Sequence, residues 1–418
     1  MGAARLGERL LRWLLGRAAG AGEPDLPQPL PAIPDVDWVR AAAAGDDPGA
    51  NAAEVALVLL AIARDGDEAV RLAAVDALGA AEPRWWIALD EALRQRWWWV
   101  PRWARITAAA LADADDLDLL RLALAGCHPD GHLREAAVAH LAGQDHPAAV
   151  ALVAVRTCDW VRQVRDGART VATSWFSPPA DGSVLVTATP MALALRNRRE
   201  GRWLAEQVER ALYEAELAAL EPLLSARDRK TRRAAYHAGI ATGRLSLDRL
   251  TMAAAKEPDV PIRVMCARAA IATSTDPTRV RQLLTSRTAL VRAEALYVMA
   301  ATAPEVTLAA LTDRHRLVRA VAQDAVRRGG GDPAHRYRDL IVQAPPVPAV
   351  IAGLGETGGG TDDAGLIRPW LSHPRARGRV EAIRALRRWG AIQSADLVTL
   401  LRDDSAAVVR QTVRVRLV

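Results

Sequence analysis

The sequence is poor in lysine and cysteine. Among its 55 basic residues only Lys230 and Lys256 are lysines, and alanine is abundant, a bias typical of a GC-rich genome. The many arginines are therefore not in themselves evidence of phosphate binding. The three cysteines, Cys127, Cys158 and Cys266, are an odd and scattered set, which argues against a disulfide framework and favours a reducing compartment.

Long apolar runs are missing as well. No segment contains about 18 uncharged apolar residues, the length that a membrane-spanning helix requires. Residues 1–34 combine a short basic amphipathic helix with a proline-rich linker, and the apolar run of that helix is too short for a signal peptide. These features predict a cytoplasmic protein without a transmembrane segment. The net charge of +6 permits an anionic partner without requiring one.

The dominant feature of the sequence is a repeat. The segment "DEAVRLAAVDALGA" (67–80) returns as "DGHLREAAVAHLAG" (130–143), "DVPIRVMCARAAIA" (259–272) and "TALVRAEALYVMAA" (288–301). One arginine recurs at a constant place in it, which we name the ladder position. Neighbouring ladder positions are separated by 27 to 34 residues, except for two longer gaps of 67 and 60 residues. The ladder arginines are Arg71, Arg105, Arg134, Arg165, Arg232, Arg263, Arg292, Arg319, Arg379 and Arg410.

Each repeat has the apolar spacing of an α-helix. In the first copy, apolar residues follow Val70 at intervals of four, seven and eight: Ala74, Ala77 and Leu78. This spacing places all four on one helical face. A second apolar stretch separates successive copies, so each repeat is predicted to be a helical hairpin. An aspartate precedes most ladder arginines by four or six residues and is expected to cap the helix start.

This pattern resembles the HEAT repeats, in particular the bacterial PBS-lyase-like form, whose second helix begins with Asp, then Val-Arg, then Ala and Ala-Leu. The resemblance covers roughly residues 35–418 and implies an all-α, right-handed α-solenoid of roughly 10 to 12 hairpins. In that family the second helices line the concave face, and the recurring Asp and Arg form a ladder between adjacent repeats. It thus implies a structural role for the ladder arginines, among them Arg71, Arg134, Arg263, Arg292 and Arg319.

One segment departs from the repeat. "SWFSPPADGSVLVTATP" (174–190) has Pro and Gly turn signals followed by the β-branched residues Val184, Val186, Thr187 and Thr189, and it predicts an irregular insertion. A long acidic helix from about Trp203 to Leu224 is expected to follow. The resulting division is 1–34, N-terminal repeats at 35–173, insertion and acidic helix at 174–225, and C-terminal repeats at 226–418.

Catalytic and metal-binding patterns are weak. Cys127, His128 and His132 lie close together and invite a zinc interpretation, but their His-Pro-Asp-Gly stretch stands where other repeats begin a helix. No Ser-His-Asp or Cys-His arrangement has a supporting local motif. We therefore expect no catalytic residue, no metal and no cofactor, and a protein suited to binding rather than to catalysis.

Two candidate binding regions stand out. In the central repeats, the helical positions that face away from the core carry large polar side chains, which predict a partner-binding concave patch: Arg169, Arg233, Tyr236, His237, Arg268 and Tyr297. In "RQRWWWVPRWAR" (94–105), three consecutive tryptophans cannot all face one core, because helical neighbours diverge by about 100°. Trp97, Trp98 and Trp99 are thus expected either to pack at a repeat junction or to form an exposed aromatic edge.

The resemblance leaves the function open. A scaffold or adaptor that binds a protein partner on the concave face is the commonest use that it implies. DNA or RNA binding is the alternative, since a group of HEAT-like bacterial DNA glycosylases presents tryptophans and an aspartate on a basic concave face. A role like that of the phycobilin lyases ranks last, because nothing in the sequence indicates a chromophore. The sequence does not indicate the oligomeric state.

Overall fold

The computed structural model describes residues 36–43, 48–96, 118–177, 181–342 and 346–416. Every regular element in these ranges is helical, and they divide into two compact units, unit 1 up to Arg244 and unit 2 from Leu245. None of the helices in the described ranges has the length and apolar character needed to cross a bilayer. The N-terminal helix and linker predicted at 1–34 lie outside the described residues.

Unit 1 contains twelve described helices. They are α1 (Val36–Ala43), α2 (Pro48–Asp65), α3 (Glu68–Gly79), α4 (Pro83–Arg96), α5 (Leu119–Gly126), α6 (Gly131–His140), α7 (Pro147–Arg156), α8 (Arg162–Trp175), α9 (Gly182–Leu195), α10 (Gly201–Glu214), α11 (Leu217–Leu224) and α12 (Arg229–Ala241). Within the unit, α5 packs on α6, α7 on α8, α9 on α10 and α11 on α12, and helices two apart along the chain also touch. The predicted helical hairpins are therefore confirmed.

Unit 2 repeats the arrangement. Its helices are α13 (Leu247–Lys256), α14 (Val260–Thr273), α15 (Pro277–Leu283), α16 (Ala289–Met299), α17 (Pro304–Ala310), α18 (Arg316–Arg328), α19 (Pro333–Ile341), α20 (Pro348–Thr357), α21 (Thr361–Ile367), α22 (Ala376–Arg388), α23 (Ser394–Leu400) and α24 (Ala406–Arg416), with a 3-10 helix at Arg368–Ser372. Each odd-numbered helix pairs with the next, and the even-numbered second helices α14, α16 and α18 stack in order. Such stacking of hairpins is the packing of an α-solenoid.

The aspartates at four residues before the ladder arginine begin the second helices, as the sequence predicted. Asp67 accepts a hydrogen bond from the backbone N–H of Val70 at 2.8 Å, and Asp228 accepts one from Thr231 at 2.8 Å. Asp130 and Asp259 cap their helices in the same way. A side-chain oxygen here satisfies one of the N–H groups that a helix start leaves unpaired.

The segment expected to be irregular is mostly helical. Residues 182–195 form α9, which pairs with α10 to make a complete hairpin in the long gap between Arg165 and Arg232. Val184 and Thr189 are buried on one helical face together with Leu185 and Ala188. The β-branched run was misleading because burial at a 3.6-residue period decides between helix and strand more strongly than β propensity does.

The long acidic helix is also divided. Helix α10 ends at Glu214, Ala215 has an extended backbone, and α11 begins at Leu217. The expectation of one helix from Trp203 to Leu224 is therefore wrong at this point. Ala215 is buried and its N–H still bonds to the carbonyl of Ala211, so the break joins the second helix of one hairpin to the first helix of the next.

Candidate functional site

Six of the ladder arginines share one backbone contact. Their Nη1 atom donates to the carbonyl oxygen six residues earlier, in the turn before the second helix. The bonds are Arg134 to His128 (2.8 Å), Arg165 to Asp159 (3.0 Å), Arg232 to Ala226 (2.7 Å), Arg292 to Ser286 (2.7 Å), Arg319 to Asp313 (2.9 Å) and Arg379 to His373 (3.0 Å). Each arginine thus satisfies a carbonyl that its hairpin turn would otherwise leave without a backbone partner.

The expectation that the aspartates six residues before a ladder arginine cap the second helix is wrong at Asp159 and Asp313, because those helices start at Val161 and His315. Each aspartate accepts two hydrogen bonds from the ladder arginine of the preceding repeat. Asp159 accepts them from Arg134 at 2.9 and 3.0 Å, and Asp313 accepts them from Arg292, both at 2.8 Å. Asp404 accepts one from Arg379 at 2.6 Å. These pairs link neighbouring hairpins, because donor and acceptor lie 21 to 25 residues apart.

Other ladder arginines use other partners. Arg71 lies 2.7 Å from the Asp118 carboxylate, which also caps α5, and Arg319 donates to Glu356 near the end of α20 at 3.0 Å. The buried Nε of Arg263 has no hydrogen-bond partner among the described residues, as is also the case for Arg165. The arginine therefore has a constant position in the repeat, whereas the carboxylate with which it forms an ion pair differs from one repeat to the next.

A buried charge network extends from Asp159 in unit 1. Besides Arg134, this carboxylate accepts a hydrogen bond from Arg156 at 2.8 Å, and Arg156 also pairs with Asp90. All four side chains are at most 1% exposed. Burial by itself would raise the pKa of Asp159, but the hydrogen bond from Arg134 and the charge of Arg156 outweigh it and hold the pKa below its ordinary value. The network therefore joins α4, α6 and α7 through ionised groups.

In unit 1, most residues of the predicted concave patch are paired with neighbouring side chains or at least half-buried. Arg169 donates to the Glu200 carboxylate at 2.9 Å and lies over the ring of Trp203, with 5.1 Å to its centroid. Arg233 is half-buried. Tyr236 is only 6% exposed, so the expectation that it faces solvent is wrong, because its ring belongs to the core side of α12. Of this group only His237 is exposed.

The two patch residues in unit 2 are exposed and paired. Arg268 donates to Glu294 at 2.9 and 2.6 Å, and this bond raises the pKa of the guanidinium group. Tyr297 is 62% exposed, and the guanidinium of Arg328 lies 5.8 Å from its ring centroid. Both side chains project from second helices, α14 and α16, at the same place in the repeat.

His237 lies at a groove that sequence reasoning did not find. The groove has a cavity of about 610 Å³ and is lined by the end of α9, by α10 and by α12. Its floor consists of small and aliphatic side chains: Ala192, Leu193, Ala205, Val208, Leu212, Ala234 and Ala238. Tyr213 Oη lies 2.9 Å from His237 Nδ1, and the two rings meet edge to face. An apolar floor of this kind favours a ligand with an apolar side.

The rim of the groove carries charges of both signs. Arg202 donates to Glu206 at 2.7 Å, one helical turn further along α10. Arg196 and Glu209 line the same groove, are exposed, and form no ion pair among the described residues. The sequence had indicated Glu206 and Glu209 only as part of an acidic helix, since nothing in the linear pattern places α9 and α12 beside them.

The tryptophan-rich stretch is described only at its edge. Trp97, Trp98 and Trp99, together with the ladder residue Arg105, lie outside the described residues. The neighbouring Trp85 and Trp86 are each 1% exposed and meet edge to face at 6.5 Å between ring centroids. Trp86 also donates its indole N–H to the carbonyl of Leu78 at 3.1 Å. These two rings belong to the core of α3 and α4.

The Cys127 and His128 region forms a helix entrance. Nδ1 of His128 accepts the backbone N–H of Asp130 at 2.9 Å, and burial lowers the His128 pKa to about 4. In the described part of the chain, no three His, Cys, Asp or Glu side chains are grouped so that they could hold a metal ion. Cys127 is fully buried, and burial raises the pKa of its thiol to about 12.

The cysteines provide a test of this packing. We expect Cys158, which is half-buried, to react first with Ellman's reagent at pH 8 in the native protein. Cys127 in unit 1 and Cys266 in unit 2, whose pKa values burial raises to about 12, are expected to react only as their units open. Mass spectrometry of the labelled peptides identifies the order. Equal native rates for all three thiols would contradict the burial.

The described helices form an α-solenoid protein, and in unit 1 a groove is lined by α9, α10 and α12. No protein-family model and no curated protein matches the sequence. Among solved structures, the chain is similar to the crystal structure of Kap121p at 11% identity and a TM-score of 0.25, covering 92% of this chain and 45% of that one. It is also similar to a structure of microtubule polymerases with Tumor Overexpressed Gene domain arrays, at 10% identity and a TM-score of 0.16, with 91% and 79% covered.

Proposed function

We propose that this protein is a non-catalytic scaffold that binds a partner protein through the groove of unit 1. The observation that carries the proposal is the apolar floor bordered by Arg196 and Glu209, two exposed charges without an ion-pair partner among the described residues. The groove is lined by the end of the first helix α9 and by the second helices α10 and α12. The repeat pattern is expected to turn α10 and α12 toward the concave face. The three free cysteines support a reducing, cytoplasmic location.

The rim charges specify the kind of segment that would bind. An amphipathic segment with its apolar side on the half-buried Leu193, Ala205 and Ala234 would place an acidic side chain near Arg196 and a basic one near Glu209. Nucleic acid is less suited to this groove, because Glu206 and Glu209 would repel phosphates. Arg169 and Arg268 are also poorly suited to bind phosphate, because Glu200 and Glu294 already offset their charges.

We also propose that the ladder arginines are structural rather than ligand-binding. Six of these guanidinium groups donate to the turn carbonyl six residues earlier. Those of Arg134, Arg292 and Arg319 also donate to a carboxylate of a later helix or turn. Arg134 is fully buried, and Arg292 and Arg319 are nearly so. A partner could reach such groups only by breaking the contacts between hairpins.

Filling the groove is expected to abolish partner binding. Ala205 lines the floor and is half-buried, so Ala205→Trp would occupy the space for an incoming side chain without changing charge. The variant should lose at least 10-fold in affinity, about 1.4 kcal/mol. Partners captured on wild-type protein and identified by mass spectrometry are then purified, and their binding to each variant is measured by calorimetry.

Ala218→Trp is the matched control, since Ala218 is exposed on α11 outside the groove. A second variant, Arg196→Glu with Glu209→Arg, exchanges the two rim charges and leaves the floor intact. The proposal predicts that the purified partner binds Ala218→Trp normally and both groove variants weakly. If the partner binds Ala205→Trp and Ala218→Trp equally, the groove is not its site.

A further inference from the structure

A group of exposed arginines lies at one edge of unit 2, away from any carboxylate that pairs with it. We name this group the basic edge. Its members lie at the starts of the second helices α16, α18 and α22, either in the turn before the helix or in its first turn: Arg287, Arg314, Arg316, Arg375 and Arg377. All five side chains are exposed. Second helices of one unit begin on the same side of a solenoid, so the repeat itself brings these turns together.

Two hydrogen bonds connect these turns directly. Arg314 donates from Nη2 to the carbonyl oxygen of Arg287 at 3.4 Å, and Arg377 donates from Nη2 to the carbonyl oxygen of Arg314 at 2.5 Å. The second bond joins residues 63 positions apart in the sequence. The guanidinium groups of Arg314 and Arg377 are thus each held against the backbone of the preceding arginine, which brings Arg287, Arg314 and Arg377 next to one another.

None of the five guanidinium groups forms an ion pair within the described residues, which is also true of other exposed arginines of unit 2 such as Arg336 and Arg402. What distinguishes the basic edge is that hydrogen bonds link its turns. Three exposed arginines of the same unit are paired and serve for comparison: Arg281 with Glu305, Arg328 with Asp324 and Arg384 with Glu381. Asp313, next to Arg314 in the chain, is already engaged by Arg292, and Glu381, the carboxylate nearest to Arg377 along the chain, pairs with Arg384. Like charges gathered without compensation repel one another, so an anion that bridges them would stabilise the arrangement.

The helix starts add to the positive potential. The starts of α16 and α22, at Thr288 and Arg375, have no side-chain cap, and the start of α18 is capped by His315 rather than by an aspartate. Free N–H groups and the positive ends of three helix dipoles therefore point to the same edge as the arginines. Eight other helix starts among the described residues are capped by an aspartate, which offsets the positive end of the helix dipole.

From these contacts we infer that the basic edge binds the phosphate backbone of a nucleic acid. Guanidinium groups match phosphate oxygens in a two-pronged geometry, and a row of them fits a ligand whose charges repeat at regular intervals. The turns that present the arginines are polar, with Ser286, Thr288, Thr312 and Ser372, and so provide little of the apolar centre that a protein interface needs. The site belongs to unit 2 and is separate from the groove of unit 1.

Binding is measured by fluorescence anisotropy with the full-length chain and two labelled probes, a single strand of 20 nucleotides and a duplex of 20 base pairs. Affinity should fall steeply with salt, since phosphate contacts release counterions. The first variant changes Arg287, Arg316 and Arg375 to Gln, because these side chains form no hydrogen bond within the described residues and their loss should leave folding intact. We expect about 10-fold weaker binding at least, and a salt slope smaller by about 2 to 3.

The control changes Arg281, Arg328 and Arg384 to Gln and removes the same net charge from paired positions of the same unit. It should stay within about 3-fold of wild type. A second edge variant, Arg314→Gln with Arg377→Gln, should weaken binding in the same direction. The proposal is overturned if neither probe binds at low salt, if edge and control variants lose affinity equally, or if polyglutamate of equal charge competes as well as DNA. A preference between the two probes identifies the form of nucleic acid.

Discussion

Replacing Asp159 by alanine is expected to destabilise unit 1 by about 3–5 kcal/mol, the usual effect of removing one partner from a buried ion pair. The substitution leaves the guanidinium groups of Arg134 and Arg156, both at most 1% exposed, without the carboxylate that they share. The N–H of the half-buried Val161 loses its acceptor as well. Urea unfolding at pH 7, followed by labelling of the buried Cys127 thiol, measures the change in the unfolding free energy of this unit.

Asp404→Ala is the matched control. Asp404 has the same position in its repeat as Asp159 and accepts from Arg379 as Asp159 does from Arg134, but its side chain is 90% exposed. Arg379 keeps a second carboxylate, Asp403, at 2.7 Å. The unfolding free energy of unit 2 should therefore remain nearly unchanged. If the two substitutions had equal effects, burial would not be the reason that Asp159 matters.

The same carboxylate also determines how the stability of unit 1 changes at acidic pH. Because the folded pKa of Asp159 is below its ordinary value of 3.8, the folded state favours the ionised form. Its contribution is fully present above the ordinary value and is lost as the pH falls through the lowered folded pKa. The difference in stability between wild type and Asp159→Ala should accordingly be constant from pH 7 to about pH 5 and decrease below pH 4.

Gly353→Ala is expected to destabilise unit 2 by about 1–3 kcal/mol, as overpacking of a filled core does. A Cβ at this position of α20 would lie 2.1 Å from Cζ of Tyr337, a ring that is fully buried. The ring cannot move aside freely, because its hydroxyl donates to the carbonyl of Leu311 at 2.8 Å and accepts from Gln323 at 3.2 Å. Thermal and urea unfolding of the variant measure the loss.

Gly365→Ala is the control for helix propensity. Gly365 lies in α21 of the same unit, is exposed, and has no atom within 4 Å of the place where a Cβ would be. Alanine there should stabilise the helix by up to about 1 kcal/mol, because glycine is the poorer helix former. Destabilisation by both substitutions would point to the helices rather than to the Tyr337 ring.

The hairpin architecture was accessible from sequence because it depends on local periodicity. The apolar spacing of Val70, Ala74, Ala77 and Leu78 and the aspartate four residues before Arg71 are contained in one helix and its cap. The error at 174–190 arose where local preference and burial disagree. The β-branched Val184 and Thr189 are in a helix because their face is covered by neighbouring hairpins, which no short stretch of sequence reveals.

The candidate sites were less accessible. Of the predicted patch, Tyr236 is buried, and Arg169 and Arg268 are held by Glu200 and Glu294, residues of other helices or turns. The groove around His237 depends on α9, α10 and α12 meeting, and the basic edge depends on Arg377 reaching a turn 63 residues earlier. Such surfaces combine side chains that are distant in the chain, so spacing along the sequence does not indicate them.

Periodicity along the chain was thus sufficient for the helical hairpins, their caps and the recurrence of the ladder arginine, because each of these needs only residues within one or two helical turns. The tertiary structure decided which carboxylate receives each arginine. Asp67 caps its own helix four residues before Arg71, while Asp159, six residues before Arg165, belongs to the arginine of the preceding repeat. The physical reason is that a cap is satisfied by its own backbone, whereas a buried guanidinium group needs an ion partner that only the stacking of the next hairpin brings within hydrogen-bond distance.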